Sequence, residues 1–153
     1  MRWYFAYGSN MDAGRLFGRM KSKGATWGDR IGGRLDGWRL TFDKTDTRRA
    51  GSGFGNIVMA KGGIVHGTLN ALPGKGFDAL DGYEGVADRH YERRIVAAVC
   101  ADNGETVEAI TYVALKTGTG LKPTRVYLAY LLAGRDLLPA DYWERLRATP
   151  TVD

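Results

Sequence analysis

The first residues suited to chemistry lie where an aromatic N-terminal strand is expected to end in a polar turn. Residues 4–11 read Tyr-Phe-Ala-Tyr-Gly-Ser-Asn-Met, and the glycine separates β-type residues from a predicted helix start. The first N–H groups of a helix have no partner within that helix. Such a turn directs N–H donors, together with the Ser9 and Asn10 side chains, toward one point. Donors grouped in this way suit a carboxylate or a developing oxyanion, although a helix cap without a ligand is the alternative.

The second candidate is Glu84, in the segment Leu-Asp-Gly-Tyr-Glu-Gly-Val at residues 80–86. The sequence places this glutamate between a short helix and a glycine turn, beside aromatic and glycine neighbours. A carboxyl group at the end of an element, near apolar surface, has its pKa raised toward values useful for proton transfer. An exposed loop glutamate is the alternative interpretation.

Other motifs with a defined chemistry are absent from the sequence. The chain has no P-loop, G-x-G-x-x-G, G-x-S-x-G or H-E-x-x-H motif. Cys100, expected to be buried in a strand, cannot complete a zinc site with only His66 and His90 unless carboxylates contribute. We interpret both histidines as structural or surface residues. The glycine-rich stretch 51–56 could hold an anion but follows no clear strand, which favours a surface loop.

The elements that must position these residues are short and punctuated by glycine, with 22 glycines in 153 residues. Six strands are predicted at residues 2–7, 30–43, 57–60, 63–72, 90–101 and 106–115. Glycine-rich turns at 62–63 and 102–104 are typical of hairpins, and residues 43–56 are expected to form a loop. Four helices are predicted at residues 11–20, 74–83, 124–138 and 139–148, the first capped by Ser9 or Asn10. Consecutive strand pairs favour an α+β fold with a curled antiparallel or mixed sheet over a doubly wound parallel sheet.

Composition is that of a single globular domain spanning residues 1–153. Hydrophobic residues make up 44% and charged residues 25%, which excludes a disordered chain. The apolar stretch of residues 3–7 is too short for a secretory signal, and no apolar run is long enough to span a membrane. A single cysteine favours a reducing compartment, so we expect a cytoplasmic protein.

Positive charge is concentrated at the beginning of the chain. The net charge is +5, and residues 1–50 alone carry 11 Lys/Arg against 5 Asp/Glu. A basic face could attract an anionic small molecule or a nucleic acid, with Trp27, Trp38 and Phe54 as stacking groups. Aromatic side chains more often pack a core, and a solvated basic surface explains the charge equally well.

The two candidate segments, in this order, resemble the gamma-glutamylcyclotransferase-like family. The resemblance begins with the Tyr-Gly-Ser-Asn turn after an aromatic strand and continues with residues 81–86, followed by Tyr91 and a long strand. It ends with residues 123–127 entering a helix, then Gly134, Leu138-Pro139 and Tyr142. Residues 19–56 match nothing in the family pattern and are candidates for the leaving-group side of the site.

The resemblance implies a mixed β-barrel with short flanking helices and a cavity at one end. The family converts γ-glutamyl amines or amides into 5-oxoproline and a free amine, an acyl transfer that requires no metal or organic cofactor. Its catalytic glutamate corresponds to Glu84. The substrate-binding positions of the family correspond to Tyr7, Gly8, Ser9, Asn10, Met11 and Tyr127.

Two further hypotheses compete with this cyclotransferase. One is a non-catalytic member of the same fold that binds a γ-glutamyl-like ligand, against which the presence of Glu84 argues. The other is a basic nucleic-acid-binding protein. The sequence leaves the leaving amine and the oligomeric state open, and the expected partner is a small γ-glutamyl molecule.

Overall fold

Five strands close into a barrel in the computed structural model, which describes residues 1–153. They are β1 (Arg2–Ala6), β2 (Arg30–Thr45), β3 (Gly53–Leu72), β4 (Tyr91–Cys100) and β5 (Thr106–Ala114). Their order around the barrel is β1-β3-β2-β4-β5. The β1–β5 pair is parallel and every other pair is antiparallel. The predicted α+β fold with a mixed, curled, barrel-like sheet is therefore confirmed.

Four short helices and one 3₁₀ turn flank the barrel. The turn covers Ser9–Met11, and the helices are α1 (Ala13–Ser22), α2 (Gly74–Tyr83), α3 (Arg125–Leu132) and α4 (Ala140–Arg147). Two of them begin at side-chain caps: the Asp12 carboxylate accepts from the Arg15 N–H at 3.0 Å, and the Thr124 hydroxyl accepts from the Tyr127 N–H at 3.1 Å. None of these helices combines the length and the apolar character that crossing a membrane requires.

The apolar residues form two clusters on opposite faces of the barrel wall. Tyr4 and Ala6 belong to the cluster that includes helix residues such as Leu16 and Leu80. Phe5 belongs to the other, which is built from strand residues and Tyr7. This division follows from the strand geometry, because successive side chains of β1 point to opposite faces. Both faces of β1 are thus buried, and its C-terminal end is held firmly where the 3₁₀ turn begins.

The predicted hairpin at Gly62-Gly63 is wrong. Residues 53–72 form one continuous strand, so the barrel has five strands and not six. Gly62 does adopt a positive φ of 78°, but it lies at an irregularity where the pairing register of β2 and β3 shifts. A glycine-rich bulge and a hairpin turn share the same local signal, and only pairing with β2 on both sides of the glycines distinguishes them.

Element boundaries differ from the sequence predictions at three further places. The loop between β2 and β3 spans only residues 46–52, since both strands extend into the predicted loop of 43–56. Helix α3 ends at Leu132 and not at Leu138. Helix α1 is capped by Asp12, because Ser9 and Asn10 are part of the separate 3₁₀ turn. The second hairpin, at residues 101–105, and helix α2 are as predicted.

The barrel closure at β1 predicts a strong effect of one glycine substitution. A Cβ at Gly67 would collide with the Ala6 carbonyl and lie 2.8 Å from the Phe5 ring. We expect Gly67→Ala to lower the free energy of unfolding by about 1–3 kcal/mol, as overpacking does. A Cβ at Gly18 of α1 would meet no neighbouring atom within 4 Å. Because alanine loses less conformational entropy than glycine in a helix, Gly18→Ala should raise the free energy of unfolding by about 0.5–1 kcal/mol. Urea denaturation measures both changes, and equal effects would contradict this account.

Candidate active site

A cavity of about 290 Å³ lies at the end of the barrel where β1 leads into the 3₁₀ turn. This volume is just below the range of about 300–1,000 Å³ that is usual for ligand pockets, which suits a small metabolite. Its wall is mainly polar and aromatic. It includes Tyr4, Tyr7, Gly8, Ser9, Asn10, Arg15, Arg19, Lys44, Arg48, Phe54, Gly55, Glu84, His90, Tyr91, Tyr112 and Tyr127. Six of the seven residues singled out from the sequence therefore surround one cavity.

Met11 is the exception: it was predicted to contact the substrate, and the structure places it outside the cavity wall. Its side chain is fully buried in the apolar cluster behind the turn and does not line the cavity. Its backbone N–H donates to the Gly8 carbonyl at 3.0 Å, so this donor closes the turn. The 3₁₀ geometry is the reason, because an i to i+3 hydrogen bond consumes the amide that a simple helix start would have left unpaired.

The remaining part of the turn presents both backbone and side-chain groups to the cavity. The Gly8 N–H donates to no backbone carbonyl. Asn10 is buried and both polar atoms of its side chain are hydrogen-bonded: Nδ2 donates to the Tyr4 hydroxyl at 3.0 Å, and Oδ1 accepts from Arg19 Nη1 at 3.0 Å. The Asn10 side chain thus fixes the shape of the wall and holds a guanidinium beside it.

Glu84 is the residue that ends helix α2. Its backbone N–H donates to the Leu80 carbonyl at 2.8 Å, which continues the helical pattern by one residue. One turn earlier, Asp81 anchors this end of the helix to the barrel. Arg93 of β4 donates two hydrogen bonds to the Asp81 carboxylate, both at 2.8 Å, and the Tyr112 hydroxyl of β5 donates to it at 2.7 Å. A bidentate arginine pair fixes orientation as well as distance, so Glu84 is held in a defined position over the cavity.

The environment of Glu84 is unusual for a glutamate. Burial raises the pKa of its carboxyl from 4.5 to about 7, against the opposing effects of Arg19, Arg15 and Lys44. No hydrogen bond from the protein stabilises the ionised form. The side chain is only half-buried by solvent accessibility, since it faces the cavity, whereas the protein encloses the carboxyl on its other sides. The carboxyl group is therefore desolvated yet open to a ligand.

Tyr127, near the start of α3, links the turn to β3. Its hydroxyl accepts a hydrogen bond from the Gly55 N–H at 2.9 Å. A Cβ at Gly8 or at Gly55 would come within 3.1 or 3.0 Å of that oxygen, so a side chain at either position would displace the hydroxyl by a few tenths of an ångström. Burial raises the pKa of Tyr127 to about 12, and the hydroxyl therefore stays protonated. It can donate its own hydrogen to a ligand while accepting from Gly55.

Several cavity residues were missed by the sequence analysis. Arg15 and Arg19 are four residues apart on α1, a spacing that places them on one helix face and could have indicated a paired cationic wall. Lys44 and Arg48 fall within a predicted loop and carried no signal. His90, interpreted as structural or surface, lines the cavity, and its buried Nδ1 has no hydrogen-bond partner.

Other features singled out from the sequence lie in different places. Gly55 and Phe54, predicted in a surface loop, belong to β3 and line the cavity. His66 lies against the Tyr142 ring, with ring centroids 4.9 Å apart, and does not line this cavity. Trp27 stacks on Phe17 with ring centroids 4.8 Å apart. No group of three or more His, Cys, Asp or Glu side chains is placed to hold a metal ion.

Comparison with known proteins gives a consistent result. The model of the AIG2-like family matches residues 64–146, more than half of the chain. A solved structure described as a gamma-glutamyl cyclotransferase is 26% identical, with a TM-score of 0.86 over 99% of this chain and 89% of its own. An uncharacterized protein from Homo sapiens has the same identity, TM-score and coverage.

A more distant likeness concerns the fold alone. A yeast gamma-glutamyl cyclotransferase described as specific to glutathione is 11% identical, with a TM-score of 0.63 over 95% of this chain and 93% of its own. No curated protein sequence matches the chain.

The position of the Tyr127 hydroxyl predicts that its removal lowers both stability and ligand binding. Tyr127→Phe leaves the Gly55 N–H without its acceptor, so we expect a loss of about 1 kcal/mol in the free energy of unfolding, together with weaker ligand binding. Tyr130 lies one turn further along α3, outside the cavity, with its ring under the Arg15 guanidinium. Tyr130→Phe keeps that contact and should leave both properties unchanged. Unfolding curves and substrate kinetics test the pair, and identical behaviour of the two variants would contradict the assignment.

Proposed function

The chain belongs to the AIG2-like family and shares the fold of gamma-glutamyl cyclotransferases, and on this premise we propose that it is a cofactor-independent γ-glutamyl cyclotransferase. It would act on a small γ-glutamyl compound and release 5-oxoproline and a free amine. The observation that carries the proposal is Glu84: a carboxyl with a pKa of about 7 and no protein hydrogen bond, facing a small polar cavity. We place the reaction in the cytoplasm, with which the unpaired Cys100 thiol agrees.

The reaction joins two parts of the same substrate molecule. The α-amine attacks the γ-carbonyl carbon, a new C–N bond closes the five-membered ring, and the bond to the departing nitrogen breaks. Because the reacting groups are already tethered, the main contribution of the protein is to hold the chain in a bent attack geometry. A small cavity walled by Tyr7, Gly8 and Tyr127 serves that purpose.

Proton transfer is the role we assign to Glu84. A free α-amino group has a pKa of about 7.7–8, so it is mostly protonated near neutrality and cannot attack. A carboxylate with a pKa of about 7 is a far better acceptor for that proton than one at 4.5. The ring nitrogen gives up two protons as it becomes a lactam N–H. Glu84 relays them to the departing nitrogen, which leaves as an ammonium ion.

Charge on the γ-carbonyl oxygen requires separate stabilisation. We assign this role to the backbone N–H groups of the turn residues Gly8, Ser9 and Asn10 and to the hydroxyl of Tyr127. The Gly8 N–H is free of backbone partners, and Tyr127 is buried and protonated. Fixed donors in a site with little water stabilise a developing oxyanion more than bulk solvent does. We retain Met11 only as a residue that supports the turn from behind.

Substitution of Glu84 tests the catalytic assignment. Glu84→Gln keeps the size of the side chain but removes its basicity, and loss of a general base typically lowers the rate by about 10²–10⁴-fold. We expect kcat for 5-oxoproline formation to fall within that range while the circular dichroism spectrum stays unchanged. A variant that retains more than half of the parent rate would eliminate Glu84 as the base.

The same variant makes a stability prediction with a defined sign. Folding raises the Glu84 pKa from 4.5 to about 7, so the native state binds the proton more tightly and parent stability decreases as pH rises through this interval. The glutamine side chain does not titrate, so the stability of the Glu84→Gln variant does not decrease for this reason as the pH rises. The difference in unfolding free energy, variant minus parent, should therefore increase between pH 4.5 and about 7 and stay constant above it. Urea denaturation at several pH values measures the difference, and a flat profile would show an unperturbed Glu84.

Solvent labelling separates cyclisation from hydrolysis, the nearest alternative reaction. Both reactions release the same amine, but hydrolysis uses water as the nucleophile. In water enriched in heavy oxygen, cyclisation yields unlabelled 5-oxoproline, whereas hydrolysis yields labelled glutamate. Mass spectrometry of the products decides between them, and labelled glutamate as the main product would overturn the proposed function.

A further inference from the structure

Lys44 is a buried cation on the cavity wall without a carboxylate partner. The residue is only 4% exposed, and no Asp or Glu oxygen lies within 4 Å of its ammonium group. Its Nζ donates to the carbonyl oxygen of the adjacent Thr45 at 2.8 Å and lies 5.8 Å from the centre of the Tyr91 ring. One backbone carbonyl leaves the other two N–H donors of the ammonium available to a ligand.

Burial of the Lys44 ammonium without a carboxylate partner is energetically unfavourable unless a ligand provides a negative charge. Lysine is almost never fully buried unless it is paired, because removing a charge from water is unfavourable. Burial lowers the pKa of Lys44, and Lys116 acts in the same direction, while Asp46 and Glu84 oppose the shift from beyond ion-pair distance. Asp46 is itself engaged, since its Oδ1 accepts from the Arg48 N–H at 2.9 Å. The charge that would match Lys44 is therefore one that a bound molecule brings.

An irregularity in the sheet accompanies the placement of Lys44. The pairing register shifts between Thr41 and Lys44, where two residues of β2, Phe42 and Asp43, oppose the single residue Gly55 of β3. Such a bulge bends the strand and redirects the side chains beyond it. Lys44 thereby lines the cavity beside Tyr91 and His90, although it belongs to a strand with a largely polar, half-buried end.

Cationic side chains of two different elements, α1 and β2, line the cavity with Glu84. Its pKa responds to Arg19 and Arg15 of α1 and also to Lys44 of β2. The Arg19 guanidinium lies 4.5 Å from the centre of the Tyr83 ring, whereas the Lys44 ammonium lies beside the Tyr91 ring. Arg19 is hydrogen-bonded to Asn10 of the turn, so the α1 end adjoins the place proposed for the glutamyl group. Lys44, on β2 beside Tyr91, is the cation that remains for the other half of the substrate.

We propose that Lys44 binds a carboxylate on the amine half of the substrate and thereby makes the protein select γ-glutamyl amino acids or peptides over γ-glutamyl amines. The inference rests on the proposed function. A substrate of this class carries one carboxylate on each side of the scissile amide, which matches one group of cations on α1 and a separate cation on β2. Arg48 also lines the cavity and adds long-range attraction.

A matched pair of substrates isolates this interaction. γ-Glutamylglycine and γ-glutamylmethylamine differ only by the carboxylate on the leaving amine. We expect the parent protein to show a kcat/KM for 5-oxoproline formation at least tenfold higher with γ-glutamylglycine. Lys44→Met should reduce the ratio of kcat/KM for γ-glutamylglycine to kcat/KM for γ-glutamylmethylamine at least tenfold. Lys44→Arg, which keeps the positive charge, should give a ratio between those of Lys44→Met and the parent. Lys61→Met, at an exposed lysine outside the cavity, should leave the ratio unchanged.

Two kinetic outcomes would overturn the assignment. If Lys44→Met lowers kcat/KM equally for both compounds, Lys44 serves the glutamyl half or the fold. If the parent prefers γ-glutamylmethylamine, the cavity does not select a second carboxylate. Thermal unfolding of Lys44→Met is the control for folding, and we expect no loss of stability because the substitution removes a buried unpaired charge.

A binding measurement on an inactive variant tests the role of Lys44 independently of the proposed reaction. In the Glu84→Gln background, calorimetric titration should show γ-glutamylglycine binding at least tenfold more weakly when Lys44→Met is added. If neither compound yields 5-oxoproline with the parent, the proposed reaction fails, and the titration alone then decides the role of Lys44. Equal affinities with and without the lysine would overturn it.

Discussion

Closure of the barrel by β1 is the constraint on which the site depends. This short strand pairs with β3 on one side and with β5 on the other, and both of its faces are buried. Its last residues are continuous with the 3₁₀ turn at the cavity, and the Tyr7 hydroxyl donates to the Tyr112 carbonyl of β5 at 2.6 Å. The turn therefore has the rigidity of the sheet, and fixed donors are what stabilisation of developing charge requires.

Hydrogen bonds between distant segments then hold the catalytic candidate opposite that turn. Asp81 joins α2 to β4 and β5, while Tyr127 joins α3 to β3 beside Gly8. Tyr91 completes the connection by donating to the Gly55 carbonyl at 2.8 Å. Each link is anchored on the barrel, so movement of one wall is resisted by the others. Precise placement is the main requirement of an intramolecular reaction, in which the reacting groups are already tethered.

The cavity also contains two electrostatically unfavourable groups. It encloses a carboxyl whose pKa is raised to about 7 and a lysine without a carboxylate partner. Neither arrangement stabilises the empty protein, because a buried charge without a close partner loses more hydration than it regains. Departures of this kind from the rules of stable folding are characteristic of functional sites. Under the proposed function, the ammonium group and the carboxylates of the substrate would supply the missing partners.

The sequence alone determined the features that depend on local residue patterns. The Tyr-Gly-Ser-Asn turn, the position of Glu84 at the end of a helix and the hairpin between β4 and β5 all follow from short-range signals. The tertiary structure decided what depends on pairing between distant residues. Pairing with β2 places Gly62 and Gly63 at a bulge within one strand, where the sequence predicted a hairpin turn. The 3₁₀ turn uses the Met11 N–H in its own hydrogen bond, so this group does not face the cavity. Lys44 lines the cavity next to the register shift between β2 and β3, and this pairing of distant residues cannot be read from the neighbours of Lys44 in the sequence.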